Sequence, residues 1–217
     1  MNEILPAFCA GVVSTIVCNP LDVFRINYQL NNRLHISASF MYRGIGYGLM
    51  TIPSFWTIYF PTYNKTKEIF PKPIAAYLSC CTGSIFTAPF WYLRQKSHTN
   101  VYHSWKTPAR DYFIGLKPTL IGNLNFVIQI PVYEYLKTKL EYNTYNIFLI
   151  TAISKTISTS VFYPFDTIRA KLRNGENLRG MTFTMYYRGI SIYLARSIPY
   201  HASIFCTYEF IKNKMYE

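Results

Sequence analysis

The chain alternates long apolar stretches with short polar and basic ones. Six apolar stretches lie near residues 4–28, 45–65, 74–95, 114–136, 146–170 and 189–211. Each has the roughly 20-residue length that a membrane-crossing helix requires. None is an unbroken leucine-type span. Ser, Thr, Asn and Gly are spaced through all of them, as expected of helices that turn one face to a polar interior. The pattern predicts an all-α membrane protein of six transmembrane helices.

The ends of alternate stretches repeat. The first ends in NPLDVFRINYQ, with Pro20, Asp22 and Arg25; the third ends in APFWYLRQKSH, with Pro89, Trp91 and Arg94. The fifth ends in YPFDTIRAKLR, with Pro164, Asp166 and Arg169. The prolines recur at intervals of about 70 residues. A second landmark follows each: MYRGI around Arg43 and Gly44, YFIGL around Gly115, and YYRGI around Arg188 and Gly189. A third closes each even stretch, as YNKTK from Tyr63, YEYLK from Tyr133 and YEFIK from Tyr208. Three landmarks in fixed order predict one domain, 1–217, of three tandem helix-pair repeats near 1–70, 71–143 and 144–217, with short connecting helices.

Composition agrees with a membrane protein that has a polar interior. Half of the 217 residues are hydrophobic and 18% aromatic, while only 15% are charged, against ~25% in soluble domains. The net charge of +12 is spread in clusters between the apolar stretches rather than gathered into an arm or stripe. That pattern excludes nucleic acid as the expected partner and points to anionic lipid headgroups or an anionic solute. The five cysteines are odd in number and lack disulfide or zinc spacing. Cys80 and Cys81 with His98 and His103 would be the one metal constellation, but cysteine in an apolar run reads as a small buried hydrophobe. No metal, cofactor or nucleophile–base set is expected, so the chain does not read as an enzyme. Its opening, MNEILPAFCAG, has no basic n-region, so no cleavable secretory signal is expected.

The motif has a physical logic. Proline inside a helix removes one hydrogen bond and kinks the axis, so Pro20, Pro89 and Pro164 would turn three helix ends toward a common centre. An acid and a base three residues apart can pair along their own helix for ~0.2–0.5 kcal/mol. Equivalent positions in three repeats can instead pair between neighbours and close a gate. Counting back from Asp166 at ~100° per residue, Thr159 and Lys155 share its face. Lys155 stands about 16 Å away along the axis, where Gly11 and Cys80 are its counterparts. Such a cation is a solute-site candidate; the alternative is a lysine snorkelling to the interface.

These residues resemble the mitochondrial carrier family across nearly the whole chain. Its signatures are Pro-x-[Asp/Glu]-x-x-[Lys/Arg] on odd helices and [Phe/Tyr]-[Asp/Glu]-x-x-[Lys/Arg] on even ones. The resemblance implies three helix pairs around a pseudo-threefold axis, acting as a monomer in the mitochondrial inner membrane; the heavy use of Ile, Asn, Lys, Phe and Tyr adds the mitochondrion of a host cell as an alternative. It implies a matrix gate pairing Asp22 with Arg94 and Asp166 with Arg25. Trp91 takes the third acidic position, leaving Arg169 without its expected partner. Gln29 matches a bracing glutamine, with His98 and Arg173 at the equivalent positions. A cytosolic gate would comprise Lys67, Glu134, Lys137, Glu209 and Lys212, braced by Tyr63, Tyr133 and Tyr208, with Asn64 replacing one acid.

The resemblance also places Arg196, in YLARSIPYHASIFCTYE, at one of three solute contact points. The others fall at Thr51 and Ile52, and at Ile121, Gly122 and Asn123. The turns at Arg43–Gly44, Gly115 and Arg188–Gly189 would bind cardiolipin, although Ile114 replaces the arginine of repeat two. The acidic-Gly element that usually precedes these turns is missing, and the connecting loops are short for the family. Lys155 and Arg196 favour an anionic solute. The expected function is alternating-access exchange of a nucleotide-like or phosphorylated anion. A carboxylate or cofactor carrier stays open because the arginine triplet of ADP/ATP carriers is absent. A degenerate member that binds lipid or a partner without transport is the other alternative.

Overall fold

A computed structural model describes residues 4–30, 37–99, 108–140 and 144–200, together with Ser203 and Thr207. Tyr208, Glu209, Lys212 and His103 lie outside the described residues. The described residues form helices and connecting turns, with no strand among them. In order, the helices are α1 (Ile4–Gln29), α2 (Ala38–Met41), α3 (Ile45–Thr66), α4 (Lys72–His98), α5 (Leu116–Gly122), α6 (Asn125–Lys139), α7 (Thr144–Asn174) and α8 (Phe183–Tyr186). A 3₁₀ turn, Ala109–Phe113, precedes α5, and a ninth helix, α9, runs through residues 190–200. Pro20, Pro89 and Pro164 each lie inside an unbroken helix, where each withholds one backbone donor. Helix α3 packs on α1 and α4, and α6 packs on α7 and α4.

The fourth apolar stretch is two helices rather than one. Between α5 and α6 the backbone tightens to i→i+3 bonds, Leu124 N to Ile121 O at 3.0 Å and Val127 N to Leu124 O at 2.9 Å. The Asn123 side chain at this break donates to Ser84 Oγ on α4 at 3.0 Å. By length and apolar composition alone, two described runs suffice to cross a bilayer, Lys72–His98 and Ala109–Lys139, against the six expected. The other long helices carry the Ser, Thr, Asn and charged motif residues, which lower their hydropathy.

Burial is inverted relative to a water-soluble domain. Among the described residues, 20 buried positions are polar or charged and 13 are hydrophobic, so the interior is the polar side. On α7 the stripe Leu149, Ile153, Ile157 and Val161 is exposed, while Ser154, Ser158 and Thr159 are buried. On α1, Val13, Ile16, Val17 and Phe24 face outward, and Ser14, Thr15, Asn19, Asp22 and Arg25 face inward. Many inward hydroxyls donate to their own helix, as Thr15 does to Gly11 O (2.6 Å) and Thr87 to Gly83 O (2.8 Å). That self-satisfaction makes burying them inexpensive.

Three glycines with positive φ stitch the helices together. Each follows one of the short helical turns and opens α3, α5 or α9: Gly44 (φ 69°), Gly115 (φ 85°) and Gly189 (φ 85°). A Cβ on Gly44 would lie 2.9 Å from His98 Cδ2 and 3.1 Å from the Arg94 carbonyl oxygen. One on Gly115 would lie 3.2 Å from Arg173 Cγ, and one on Gly189 would lie 3.2 Å from Gln29 Cγ. His98, Arg173 and Gln29 each stand four residues after a motif arginine. Glycine is needed both for the left-handed backbone and for the close approach.

This packing separates two neighbouring glycines. Gly44→Ala is expected to cost about 1–3 kcal/mol of stability, because His98 and the Arg94 backbone block the new methyl group. Gly46→Ala, with nothing within 4 Å of its would-be Cβ, is expected to be neutral or to stabilise by about 0.5–1 kcal/mol. Thermal unfolding of the two purified variants in detergent, side by side, measures the difference.

Candidate functional site

Asp22 is the centre of a buried ion network. It is 6% exposed and accepts from Arg94 Nη2 on α4 at 3.0 Å. Its second oxygen is bound by Arg196 Nη1 from α9. Arg94 also donates to Asn19 Oδ1 at 3.3 Å and lies 5.5 Å from the Trp91 ring. Two guanidiniums on one carboxylate form charge-assisted contacts, the strong kind inside a protein.

A second carboxylate, Asp166 on α7, is likewise shared. Arg25 Nη2 from α1 is 3.8 Å from one oxygen, and Arg169 Nη2 is 2.8 Å from the other. Among the described residues, Arg169 has no carboxylate partner from another repeat. With Trp91 offering no carboxylate, Arg169 turns to the acid three residues back on its own helix. Arg25 lies over the Tyr193 ring at 4.4 Å. Gln29 does not bond the Arg25–Asp166 pair directly; its Nε2 donates to the Tyr163 hydroxyl at 2.8 Å, and that hydroxyl donates to the Arg188 carbonyl at 3.0 Å.

These groups surround a cavity of about 160 Å³ between α1, α4, α7 and α9. Its wall holds five arginines and the two aspartates, with His98, Gln29, Gln95 and Trp91 among the rest. Arg196, expected at a solute contact point, is the one such residue that lines it. The others are dispersed. Lys155 Nζ lies 3.5 Å from Gln129 Oε1 on α6 and 5.8 Å from the Phe126 ring. Thr159 is buried with its hydroxyl unbonded, Thr51 and Ile52 are buried, and Ile121 is exposed. Gly122 faces Phe165, and Asn123 is engaged by Ser84.

The opposite ends of the helices look different. Lys67 donates to Asn64 Oδ1 at 2.8 Å, and Glu134 pairs with Lys72 at 2.9 Å, with both side chains of that pair well exposed. Lys137 is exposed, Tyr63 stacks on Tyr59 at 5.7 Å, and Tyr133 is half-buried. Lys67 also lies 5.9 Å from the Tyr63 ring on its own helix.

At the turns read as lipid sites, Arg43 lies over Phe40 at 5.2 Å and Arg188 over Tyr28 at 4.9 Å. Asn19, missed as a site residue, donates to Met41 O (2.9 Å) and Arg43 O (3.3 Å) besides receiving Arg94. Its counterpart Tyr163 holds the Arg188 carbonyl, while Ala88 has no donor to offer. Tyr193, also missed, stands four residues after Gly189, as Gly48 and Thr119 stand after Gly44 and Gly115. Gly48 lets Arg94 Nε approach to 3.1 Å of its would-be Cβ, and Thr119 meets Arg173 at 3.5 Å. That shared register was the signal by which all three were findable.

No family model matches the chain. Curated relatives do. It is 26% identical over 275 aligned positions to "Mitochondrial substrate carrier family protein W" of Dictyostelium discoideum, covering 94% of this chain and 83% of that one. It is 24% identical over 301 positions to "Mitochondrial FAD carrier protein FLX1" of Saccharomyces cerevisiae, covering 99% and 97%. It is 24% identical over 277 positions to "Nicotinamide adenine dinucleotide transporter 2, mitochondrial" of Arabidopsis thaliana, covering 94% and 76%. Each alignment is longer than the 217 residues of this chain, so the relatives carry insertions where this chain is short. Taken with the recurring motifs and the all-helical described residues, the chain is similar over nearly its whole length to proteins named as mitochondrial carriers and transporters.

Proposed function

We propose that this chain is a solute carrier of the mitochondrial inner membrane that exchanges an anionic, nucleotide-like metabolite by alternating access. The fold reading behind this is six membrane-crossing helices in three pairs around a pseudo-threefold axis, working as a monomer. The exposed apolar stripes and buried polar faces support membrane insertion. The recurring glycine contacts support three equivalent repeats. The relatives are named as carriers and transporters, two of them for FAD and nicotinamide adenine dinucleotide. Those names favour a dinucleotide-type solute and give no reason to expect catalysis.

The observation that carries the mechanism is the double hold on Asp22 by Arg94 and Arg196. Arg94 belongs to the proposed matrix gate and Arg196 to the proposed solute site, so one carboxylate links the two. A negative solute group that enters from the cytosolic side competes with Asp22 for Arg196. Success weakens the gate at the moment of binding, which is the coupling that exchange requires. The buried ion pairs at one end and the exposed Lys72–Glu134 pair at the other support a state closed to the matrix and open to the cytosol. Lys155 supplies a second cation toward the middle of the membrane. Arg43–Gly44, Gly115 and Arg188–Gly189 keep a proposed second role at the lipid boundary, with cardiolipin as the ligand.

Vesicles reconstituted with the purified chain and loaded with NAD+ or FAD should take up the labelled external nucleotide. Arg196→Ala should lower the rate about tenfold to a hundredfold, the value of a charge-assisted contact, and Lys155→Ala should also lower it. Absence of uptake of any anion by demonstrably folded protein would overturn the carrier reading and leave the lipid- or partner-binding alternative. Stability provides a separate check. Asp22→Asn strands two buried guanidiniums and should cost about 3–5 kcal/mol, whereas Lys72→Ala, on an exposed pair, should leave the melting temperature unchanged.

A further inference from the structure

The cavity between α1, α4, α7 and α9 has more cations than its acids can hold. Its wall carries five guanidiniums against the carboxylates of Asp22 and Asp166, an excess of three positive charges. Asp22 takes Arg94 and Arg196, and Asp166 takes Arg25 and Arg169. Arg173 is left over. It is 4% exposed and forms no ion pair among the described residues. Its one hydrogen bond is a long one, 3.5 Å from Nη2 to Thr119 Oγ1, and its Nε has no partner.

Other residues that line the same space carry unsatisfied buried polar atoms. Both ring nitrogens of His98, 1% exposed, are without partners, as are Arg25 Nε and Arg94 Nε. Buried polar groups are rarely left so, and a buried guanidinium without a counter-charge is expensive. The shortage has a definite origin. Trp91 occupies the motif position that holds Asp22 and Asp166 in the other two repeats. The space is also sufficient: about 160 Å³, when one water needs only ~10–15 Å³. Planar guanidiniums match the oxygens of a tetrahedral oxyanion, and Arg is the residue of choice for binding them.

We propose that this cavity binds a small tetrahedral oxyanion of the phosphate class, held by Arg173 with Arg169 and His98, in the electrostatic place of the carboxylate absent at Trp91. The bound anion completes the third bridge of the proposed matrix gate, so gate strength varies with the concentration of phosphate. The source is free inorganic phosphate or the phosphoryl group of a nucleotide. The site rests on side-chain placement alone and not on the transport reading.

The test is thermal unfolding of the full chain in detergent, with phosphate compared to chloride at matched ionic strength. Phosphate in large excess over its dissociation constant should raise Tm by about 4 °C or more. Trp91→Phe should keep the rise. Trp91→Asp, which installs the missing carboxylate, should abolish it, and so should Arg173→Gln, which removes the leftover cation without adding bulk. An arm with NAD+ in phosphate-free buffer distinguishes the sources, since a rise with NAD+ alone, lost in Arg173→Gln, assigns the site to a phosphoryl group. No rise with either probe, or a rise that persists in Arg173→Gln, overturns the proposal. Uptake is not read in this experiment, so its failure leaves the transport reading standing, and failed uptake does not touch this site.

Discussion

A buried carboxylate among apolar helices is tolerable only when positive partners surround it, and Asp22 meets that condition by drawing on three helices at once. Arg94 comes from α4 and Arg196 from α9, while Asp22 itself sits on α1 two residues past Pro20. Its neighbour Asn19 accepts from Arg94 and donates to the turn that opens α3. Asp22 and Asn19 together thus tie four helices to one point. The flanking hydrophobic faces can then stay outward, because the cohesion of this end is polar rather than hydrophobic.

Three positions share one register and hold three different chemistries. Gln29, His98 and Arg173 follow the motif arginines by the same interval and lie against Gly189, Gly44 and Gly115 in turn. Glutamine bridges to a tyrosine hydroxyl, histidine has no bonded partner on its ring, and arginine reaches only a threonine. The backbone frame is therefore repetitive while the electrostatics are not. Trp91, Lys155 and Arg196 are likewise departures from the threefold pattern.

Much of this was legible in the sequence because repetition turns weak local signals into strong ones. A proline and an acid–base pair mean little singly, yet three occurrences located the helix ends and the Asp22–Arg94 and Arg25–Asp166 pairs. Local rules could not reveal the break between α5 and α6. Gly122 and Asn123 sit in an uninterrupted apolar run, and the break is stabilised by Ser84, a residue of another helix. The destination of Arg196 was hidden for a similar reason, since it depends on how α9 is rotated toward α1. Arg169 pairs along its own helix because the choice between a local and a cross-repeat partner depends on what the neighbouring repeat supplies, and Trp91 supplies no charge. The turn glycines carried a lipid expectation from family resemblance, whereas their packing against the next repeat required coordinates.

The glycine contacts have a consequence for how the chain comes together. The first segment's turn lies on the second segment's helix, the second's on the third, and the third's back on the first, through Gly189 and Gln29. A linear array of repeats has two ends and can grow by adding units; this arrangement has none. The last contact joins residues at nearly opposite ends of the chain, so assembly is completed only when the C-terminal segment arrives. Until then Gln29 has neither Tyr163 nor Gly189 to rest on. A protein built this way should mature as a whole or not at all, with no stable halfway form for evolution to shorten by one unit.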